Sequence, residues 1–317
     1  MGTTVNIAII GPGAMPIPPV GWGAVEILIW DYYLSLTKQG HNVTIFNDSN
    51  LSNVSERINA THFDCIHCQY DEHINFFSQT LKQPFISTTH YGWLLKRECW
   101  DDGYVNIFNG TLNSPGILAL SPEIRNFYIK CGYKGKIAHL RNGANVKQFR
   151  FAPFGNGKAI CVGKIETRKR QSQVATVSEN KCQIDFVGPI TDNTFKDNNT
   201  CKNIGTWNKE QLYEKLTDYS CLVLMSNGEA APLVVMEALA AGLSLVVSET
   251  ASANLPASPF ITVIKDSDIN ENLTVAINAQ IENNNRWRNV IRQLASDYFD
   301  WNVITKEYIT IVRDIFV

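Results

Sequence analysis

The chain opens with a strand pattern, a loop, a helix pattern and a second strand pattern, and this order constrains the fold more than any other feature. Residues 5–10 form an apolar run that ends at Gly11, and a helical pattern runs from about Ala24 to Gln39. Gly40 stands where a residue just past a helix is expected, and residues 41–46 alternate like a strand. This unit predicts two parallel strands joined by a right-handed crossover.

The alternation of strand and helix patterns continues and restarts once along the chain. A loop rich in Gly, Asn and Pro spans residues 152–157, and a new apolar run follows at Lys158. We therefore predict an α/β fold of two doubly wound parallel-sheet domains that face a cleft, residues 1–153 and residues 154–300. Residues 301–317 have an amphipathic helix pattern and are predicted to pack back on the first domain. Other strand patterns lie at residues 65–68, 84–88, 116–120, 183–187, 221–225 and 243–247.

Composition and charge exclude several classes of protein. The chain has 317 residues, 44% of them apolar, which is enough for two cores. Its 28 Lys and Arg are scattered and the net charge is −2, so no nucleic-acid partner is predicted. No apolar run approaches the ~20 residues of a transmembrane helix, and no secretory signal is recognisable. We expect a cytoplasmic protein without a transmembrane segment, and peripheral membrane contact stays open.

Two short motifs suggest metal binding at first sight. Cys65 and Cys68 form a C-x-x-C, but it lies in an apolar strand pattern and no second pair stands at zinc spacing. Asp266 and Asp268 form a D-x-D in a polar segment, where Asp and Ser are ordinary turn residues. We interpret the first motif as strand and the second as a solvated turn, and we expect no metal ion.

Two glutamates, one just before a predicted helix and one inside it, are the most informative polar residues. Pro232 suits the first helical position and Gly242 the residue just past the end, which places Glu237 inside the helix. Glu237 is the only charged residue from Pro232 to Ser248, so it is predicted to be buried and to need hydrogen-bond donors, which ribose hydroxyls could supply. Glu229 precedes the helix at the carboxyl end of a strand, where ligands of such sheets bind. The alternative is a surface Glu237 and a Glu229 that stabilises the helix dipole.

Motifs along nearly the whole chain resemble glycosyltransferase family 4, the retaining enzymes whose GT-B fold has two Rossmann-like domains. The E-x7-E pair with the following ALAAGLSLVV is similar to the signature of that family. The other similar segments are PPVGWGAVE at 18–26, GHNV at 40–43, THYG at 89–92, RNGAN at 141–145, VGK at 162–164, RKR at 168–170 and FDW at 299–301.

The resemblance implies retaining transfer of a hexose from a UDP- or GDP-sugar to a hydroxyl acceptor on a glycan, a lipid or another molecule. The nucleotide sugar is then a substrate, and neither a cofactor nor a metal ion is implied. The first domain would take the acceptor and the second the donor. The acceptor hydroxyl would attack from the face that the phosphate leaves, so no enzyme nucleophile is required.

The resemblance also assigns roles to particular residues. Lys164 and Lys169 would stabilise the negative charge of the departing diphosphate, a role that fits fixed cations. Glu229 would bind donor sugar hydroxyls, Glu237 the ribose, and His90 the sugar near the reacting carbon. The other implied contacts are with the diphosphate: the backbone N–H groups of Leu233 and Val234, and the close approach of the loop at Gly23 and Ala24.

Four residues depart from the family pattern. Lys164 replaces an arginine and loses the bidentate fork to phosphate, and Pro232 replaces a glycine and removes a backbone donor. Ala24 replaces the second glycine of the first loop, and Asn145 replaces an aspartate. These departures leave open a non-catalytic relative that binds a nucleotide sugar or a glycan on the same fold.

Two further alternatives follow from isolated features. The G-P-G at 11–13 followed by Asp48 suggests a nicotinamide oxidoreductase, but the prolines at 16–19 block the helix that such a fingerprint needs directly after its glycines. Tyr91, Trp93 and Trp100 could line an acceptor groove, or they could belong to the core.

Overall fold

The structure, a computed structural model, describes residues 3–21 and 23–316, without the side chains of residues 315 and 316. Trp22 of the first-loop motif, and Met1, Gly2 and Val317 at the ends of the predicted domains, lie outside the described residues. The chain forms two compact units. Unit 1 comprises Met1–Asn142 with Trp301–Val317, and unit 2 comprises Gly143–Asp300.

Unit 1 is built on a sheet of six parallel strands in the order β2-β1-β3-β4-β5-β6. Helices connect the strands, as the crossover rule for parallel neighbours requires. Its strands are β1 (Asn6–Ile10), β2 (Asn42–Phe46), β3 (Cys65–Cys68), β4 (Ile86–Ser87), β5 (Gly116–Ala119) and β6 (Lys136–His139). Its helices are α1 (Ala24–Lys38), α2 (Leu51–Asn59), α3 (Ile74–Thr80), α4 (Asp102–Thr111), α5 (Pro122–Lys130) and α10 (Trp301–Ile311).

Helix α10 packs on unit 1 through polar contacts, including buried contacts with α1. The Trp301 indole N–H donates to Asp31 Oδ2 at 3.2 Å, and the Ser35 hydroxyl donates to the Trp301 carbonyl at 3.1 Å. Arg141 forms a two-pronged ion pair with Glu307, with N···O distances of 2.8 and 2.9 Å. The last helix of the chain is therefore part of the first unit.

Unit 2 repeats the architecture with a second all-parallel sheet, ordered β12-β11-β10-β7-β8-β9. Both sheets bear out the predicted α/β fold of two doubly wound domains. Its strands are β7 (Ala159–Val162), β8 (Ile184–Val187), β9 (Cys201–Asn203), β10 (Cys221–Leu224), β11 (Ser244–Ser248) and β12 (Ile261–Ile264). Its helices are α6 (Gln171–Ser178), α7 (Lys209–Lys215), α8 (Leu233–Ala240) and α9 (Glu271–Tyr298).

The boundary between the units falls between residues 142 and 143, before the boundary after residue 153 that the strand pattern suggests. Ala144, Val146 and Phe149 are buried in the core of unit 2, and the Ala144 N–H donates to the Phe299 carbonyl at 2.7 Å. Residues 143–151 have no strand pattern, so only their packing assigns them to the second unit.

Strands β6, β9 and β12 have no counterpart among the predicted strands. Each lies at the edge of its sheet and is only partly buried, as in Lys136–His139, where a single residue is fully buried. An edge strand covered on fewer sides needs no continuous apolar run, the signal that identified the central strands, and β6 and β9 have none; β12 is an apolar run that was not predicted as a strand.

Two details of the helices differ from the predictions or decide between them. Helix α8 begins at Leu233, so Pro232 is its N-cap residue rather than its first residue. Strand β1 ends at Ile10 and α1 begins only at Ala24, so no helix opens directly after the glycines, as an oxidoreductase fingerprint would need.

No helix among the described residues is both long and apolar enough to cross a bilayer.

Arg288 of α9 holds several segments of unit 2 together from inside the core. Its side chain is buried, and its guanidinium donates to the carbonyls of Ala152 (2.9 Å), Tyr219 (2.8 Å) and Ala241 (3.3 Å). Burial lowers the pKa of Arg288 to about 10, which leaves it charged at neutral pH. The cation thus satisfies carbonyl groups that would otherwise be buried without donors.

We predict that Arg288→Met lowers the free energy of unfolding by at least about 3 kcal/mol, since each buried carbonyl left without a donor costs about 1–3 kcal/mol. Urea unfolding followed by circular dichroism measures the change. The control is Arg286→Met on the exposed side of the same helix, where a loss within about 1 kcal/mol is expected for a surface cation that stacks on an indole. Equal losses in both variants would contradict the role given to Arg288.

Candidate functional site

The loop after β7 brings Lys169 over a glycine. Gly163 has a φ of +131°, and a Cβ added to it would lie 2.6 Å from the Lys169 ammonium nitrogen. Only glycine therefore allows the ammonium to lie against the backbone just past the carboxyl end of β7. Lys164, the next residue, is half-exposed, with its nitrogen 3.7 Å from Glu166 Oε2.

Lys169 is a partly buried cation without an ion-pair partner in the part of the chain that the structure describes. Burial lowers its pKa, Glu229 and Glu166 raise it in part, and the cations of Arg168 and Lys164 lower it further. Its charge is therefore desolvated more than it is neutralised. An anion placed beside it would gain a strong electrostatic interaction.

Glu229 is held by Arg168, which the sequence had not assigned to the site. One Arg168 nitrogen lies 3.1 Å from Glu229 Oε1, and the Ser226 hydroxyl donates to the same oxygen at 2.8 Å. Arg168 also donates to Glu166 Oε1 at 2.7 Å, and its carbonyl accepts from the Asn227 N–H at 2.7 Å. Among the described residues, Glu229 Oε2 has no hydrogen-bond partner, so this carboxylate oxygen can still accept a ligand hydroxyl.

The order of the strands contains the signal that could have identified Arg168. Strands β7 and β10 are neighbours in the sheet, so the loops after them, at 163–170 and 225–232, meet at one edge. A cation in the first loop can then reach a carboxylate in the second. Within the RKR run at 168–170, the family resemblance implies a role for Lys169 alone.

Glu237 is buried on α8, as predicted, but a residue of this chain already supplies a donor to it. The Lys209 ammonium forms an ion pair with Glu237 Oε1, while the Glu237 side chain is 10% exposed and that of Lys209 29%. Lys209 opens α7, whose start is fixed by Asn208 and Gln211 in a capping box. No sequence pattern predicts this pair, because its members lie 28 residues apart on different helices.

The start of α8 offers backbone donors. Leu233 and Val234 are its first two residues and are both half-buried. Their N–H groups lie in the first turn, where a helix has no carbonyl acceptors of its own, and the positive end of the helix dipole favours an anion there.

In unit 1, Gly23 and Ala24 open helix α1. Gly23 is the N-cap residue, and a Cβ on it would lie 2.6 Å from Glu26 Oε2, a buried carboxylate in the first turn. Ala24 is exposed as the first residue of the helix. Glycine at position 23 therefore leaves room for Glu26 to turn back toward the helix start.

His90 follows β4 in unit 1, and its ring is neutral at physiological pH. Burial lowers its pKa to about 4, and its Nε2 lies 2.8 Å from Gln69 Oε1. An uncharged imidazole that donates from Nε2 keeps Nδ1 as a hydrogen-bond acceptor.

The aromatic residues near His90 form a cluster that packs on α4. The Tyr91 ring stacks on Tyr104 with centroids 3.5 Å apart, and Trp100 contacts Tyr104 edge-on at 5.2 Å. The Trp100 indole N–H donates to the Trp93 carbonyl at 2.8 Å. Tyr91, Trp93 and Trp100 are all half-buried, so they serve the core on one side and remain accessible on the other.

The C-x-x-C and D-x-D motifs, which resemble metal-binding motifs, lie in a buried strand and in a surface ion pair. Cys65 and Cys68 are buried in β3, where burial raises the pKa of each thiol to about 12. Asp266 forms a two-pronged ion pair with Arg170, with distances of 2.7 and 3.2 Å, on the surface of unit 2. Within the described residues, no three His, Cys, Asp or Glu side chains converge on a common metal position.

The two six-stranded parallel sheets with their helices give this chain the GT-B fold of two Rossmann-like units. Sucrose-phosphate synthase from Thermosynechococcus elongatus has the same fold, with 17% identity, a TM-score of 0.78, and coverage of 97% of this chain and 98% of that chain. HepE of Anabaena, in complex with UDP and glucose, has 14% identity, a TM-score of 0.76, and coverage of 98% and 99%.

A lipopolysaccharide outer core galactosyltransferase, WaaB, is also similar, with 14% identity, a TM-score of 0.71, and coverage of 96% of this chain and 98% of that chain. No protein-family model and no curated protein matches the chain. At these identities the likeness establishes the fold alone.

We predict that Lys209 and Glu237 are coupled in stability by about 0.5–3 kcal/mol, because each is the partner of the other in a partly desolvated pair. Urea unfolding of Lys209→Met, Glu237→Gln and the double variant gives the coupling energy. The surface pair Lys181 and Glu271, with exposures of 44% and 85%, is the control and should couple by less than about 1 kcal/mol. No coupling at Lys209 would mean that the pair does not stabilise the fold.

Proposed function

We propose that the chain is a retaining glycosyltransferase that moves a hexose from a UDP- or GDP-sugar to a hydroxyl acceptor, such as a glycan or a glycolipid. The observation that carries this proposal is Lys169, a partly buried ammonium just past the carboxyl end of β7, which has no ion-pair partner among the described residues. It lies beside Glu229, a carboxylate with one oxygen that accepts no hydrogen bond from those residues. A donor with an anionic diphosphate and a hydroxyl-bearing sugar fits both groups. Structures of HepE with UDP and with UDP-glucose support a UDP-linked donor.

In this proposal the donor diphosphate binds in unit 2. Lys164 and Lys169 take its negative charge, and the N–H groups of Leu233 and Val234 bind its oxygens. As the bond from the anomeric carbon to the phosphate oxygen breaks, charge builds on that oxygen. Cations already in place stabilise this charge without reorganisation, which lowers the barrier.

The remaining site residues would orient the sugar and the nucleoside. Glu229 accepts from sugar hydroxyls through Oε2, while Arg168 keeps the carboxylate in place. Glu237, with Lys209 beside it, accepts from the ribose. In the roles that the family resemblance implies, His90 would contact the sugar near the reacting carbon, and Gly23 and Ala24 would let the first loop approach the diphosphate.

The proposed reaction needs neither an enzyme nucleophile nor a metal ion. The acceptor hydroxyl attacks the anomeric carbon on the face that the diphosphate leaves, and its proton passes to a phosphate oxygen of the leaving group. Unit 1, with its accessible aromatic side chains, would take the acceptor, and unit 2 the donor.

The direct test measures donor hydrolysis and transfer with a panel of nucleotide sugars. Thermal stabilisation by each nucleotide first selects the donor, because a bound ligand raises stability by mass action. NMR then reads the product, whose anomeric configuration should match that of the donor, and a chelator should leave turnover intact. An inverted product would refute retention, and loss of turnover in the chelator with recovery on Mg²⁺ or Mn²⁺ would refute metal independence.

A non-catalytic binding protein is the second candidate, because Lys209 already satisfies the buried Glu237 and Pro232 removes a backbone donor beside the phosphate site. Such a protein should be stabilised by the nucleotide sugar and yet show no hydrolysis and no transfer.

We predict that Lys169→Ala lowers kcat by about 10²–10³-fold, the scale for one preorganised electrostatic donor, and weakens donor binding much less. Arg170→Ala is the matched control, since Arg170 stands next in the chain but pairs with Asp266. Arg168→Ala should mainly raise the KM for the donor, because it releases Glu229. Steady-state kinetics of the three variants decide the matter, and equal, small effects would show that Lys169 is only a charged residue of a turn.

The pH dependence gives Lys169 a second signature. Because its pKa lies below that of an ordinary lysine, the ammonium loses its proton earlier as pH rises, so kcat/KM should fall on the alkaline side. Lys169→Arg should move this alkaline limb to higher pH, since arginine stays charged. An unchanged limb in that variant would assign it to another group.

A further inference from the structure

A chain of four hydrogen bonds runs through the interior of unit 1 from His90 to the backbone of β5. His90 Nε2 lies 2.8 Å from Gln69 Oε1, and Gln69 Nε2 lies 3.2 Å from His67 Nδ1. His67 Nε2 lies 2.8 Å from Thr88 Oγ1, which lies 3.0 Å from the Leu118 carbonyl. His67, Gln69 and Thr88 are at most 2% exposed, so water does not compete for these bonds.

The carbonyl at the inner end fixes the direction of every bond in this chain. The Leu118 carbonyl can only accept, so the single hydroxyl proton of Thr88 points to it, and the Thr88 oxygen must accept from His67 Nε2–H. Burial lowers the pKa of His67 to about 3, so the ring is neutral and its Nδ1 accepts from the Gln69 amide. Gln69 Oε1 then faces His90, and an amide oxygen can only accept.

The outcome for His90 is a single tautomer. Its Nε2 carries the proton and donates to Gln69, and because the ring is neutral its Nδ1 carries a lone pair. Among the residues that the structure describes, Nδ1 has no hydrogen-bond partner. Because Nδ1 can only accept a hydrogen bond, it can bind a hydroxyl group, which donates one. It does not bind an ionised phosphate oxygen, which is itself only an acceptor.

Packing holds the middle of the chain in place. The His67 ring stacks on Tyr308 of α10, with centroids 5.6 Å apart and an interplanar angle of 16°. Tyr32 of α1 contacts the same ring edge-on at 6.1 Å. A ring flip at His67 would disturb this aromatic packing as well as the two hydrogen bonds.

We infer that Gln69, His67 and Thr88 are positioning residues that keep His90 in its Nε2–H tautomer, so that Nδ1 accepts a hydrogen bond from a hydroxyl group of the donor sugar. The inference rests on the proposed function for the identity of the ligand. The hydrogen-bond chain itself belongs to the protein alone. It gives a role to three buried polar residues at positions where the interior of a protein usually has apolar residues.

The test reads the tautomer directly and then asks whether it matters for turnover. Two-bond ¹H–¹⁵N spectra of the full-length, ligand-free protein at pH 7 should show the Nε2–H form for both His90 and His67. In Gln69→Leu the acceptor is lost, so His90 should populate both tautomers, and kcat/KM for the donor should fall about tenfold, the value of one buried hydrogen bond. In Gln69→Glu the opposite charge should raise the pKa of His90.

Gln39→Leu is the matched control, because Gln39 also makes hydrogen bonds inside unit 1, to Asn302 and Thr305. It should leave the His90 spectrum and kcat/KM unchanged. A native spectrum with His90 protonated at Nδ1, or a Gln69→Leu protein with the native tautomer and native kcat/KM, would overturn the inference. A protein with the expected tautomer but no transferase activity would refute the proposed function and leave the positioning role of the chain intact.

Discussion

Parallel strand pairing is the constraint on which both the core and the candidate site depend. When all six strands of a sheet run the same way, their carboxyl ends meet at one edge, and the loops that leave them become neighbours. In unit 2 this puts the loop after β7, with Lys169, against the loop after β10, with Glu229. The same pairing needs helices on both faces, so any polar side chain on a central strand, such as His67, must find its partner inside the protein.

The charges of unit 2 divide into satisfied and unsatisfied groups. Arg168 with Glu229, and Lys209 with Glu237, place each partly or fully buried carboxylate beside a cation, which offsets the cost of removing both charges from water. Lys169 lies among the same residues without an ion-pair partner among the described groups, and burial outweighs its neighbours in setting its pKa. A desolvated cation of this kind lowers the stability of the fold. The binding of a negatively charged ligand beside it restores that stability.

The sequence was sufficient to predict the central strands and the positions of two glutamates, Glu237 inside α8 and Glu229 in the loop before it. The physical reasons differ. Central strands are buried on both faces and therefore appear as apolar runs, whereas the edge strands β6 and β9 are half-exposed and leave no such run. The burial of Glu237 follows from the apolar residues around it. Its partner Lys209, and the Arg168 that holds Glu229, depend on which elements become neighbours in space, and composition and periodicity do not encode that.

The return of helix α10 to unit 1 has a consequence during synthesis on the ribosome. Trp301 and Tyr308 fill the interior against Tyr32 of α1, so the first unit lacks part of its core until its last segment has been translated. Unit 2 is made in the interval, which lasts roughly 10–30 s at bacterial and eukaryotic elongation rates. In the nascent first unit Tyr32, Asp31 and Ser35 of α1 therefore stay uncovered while the second unit is already able to fold.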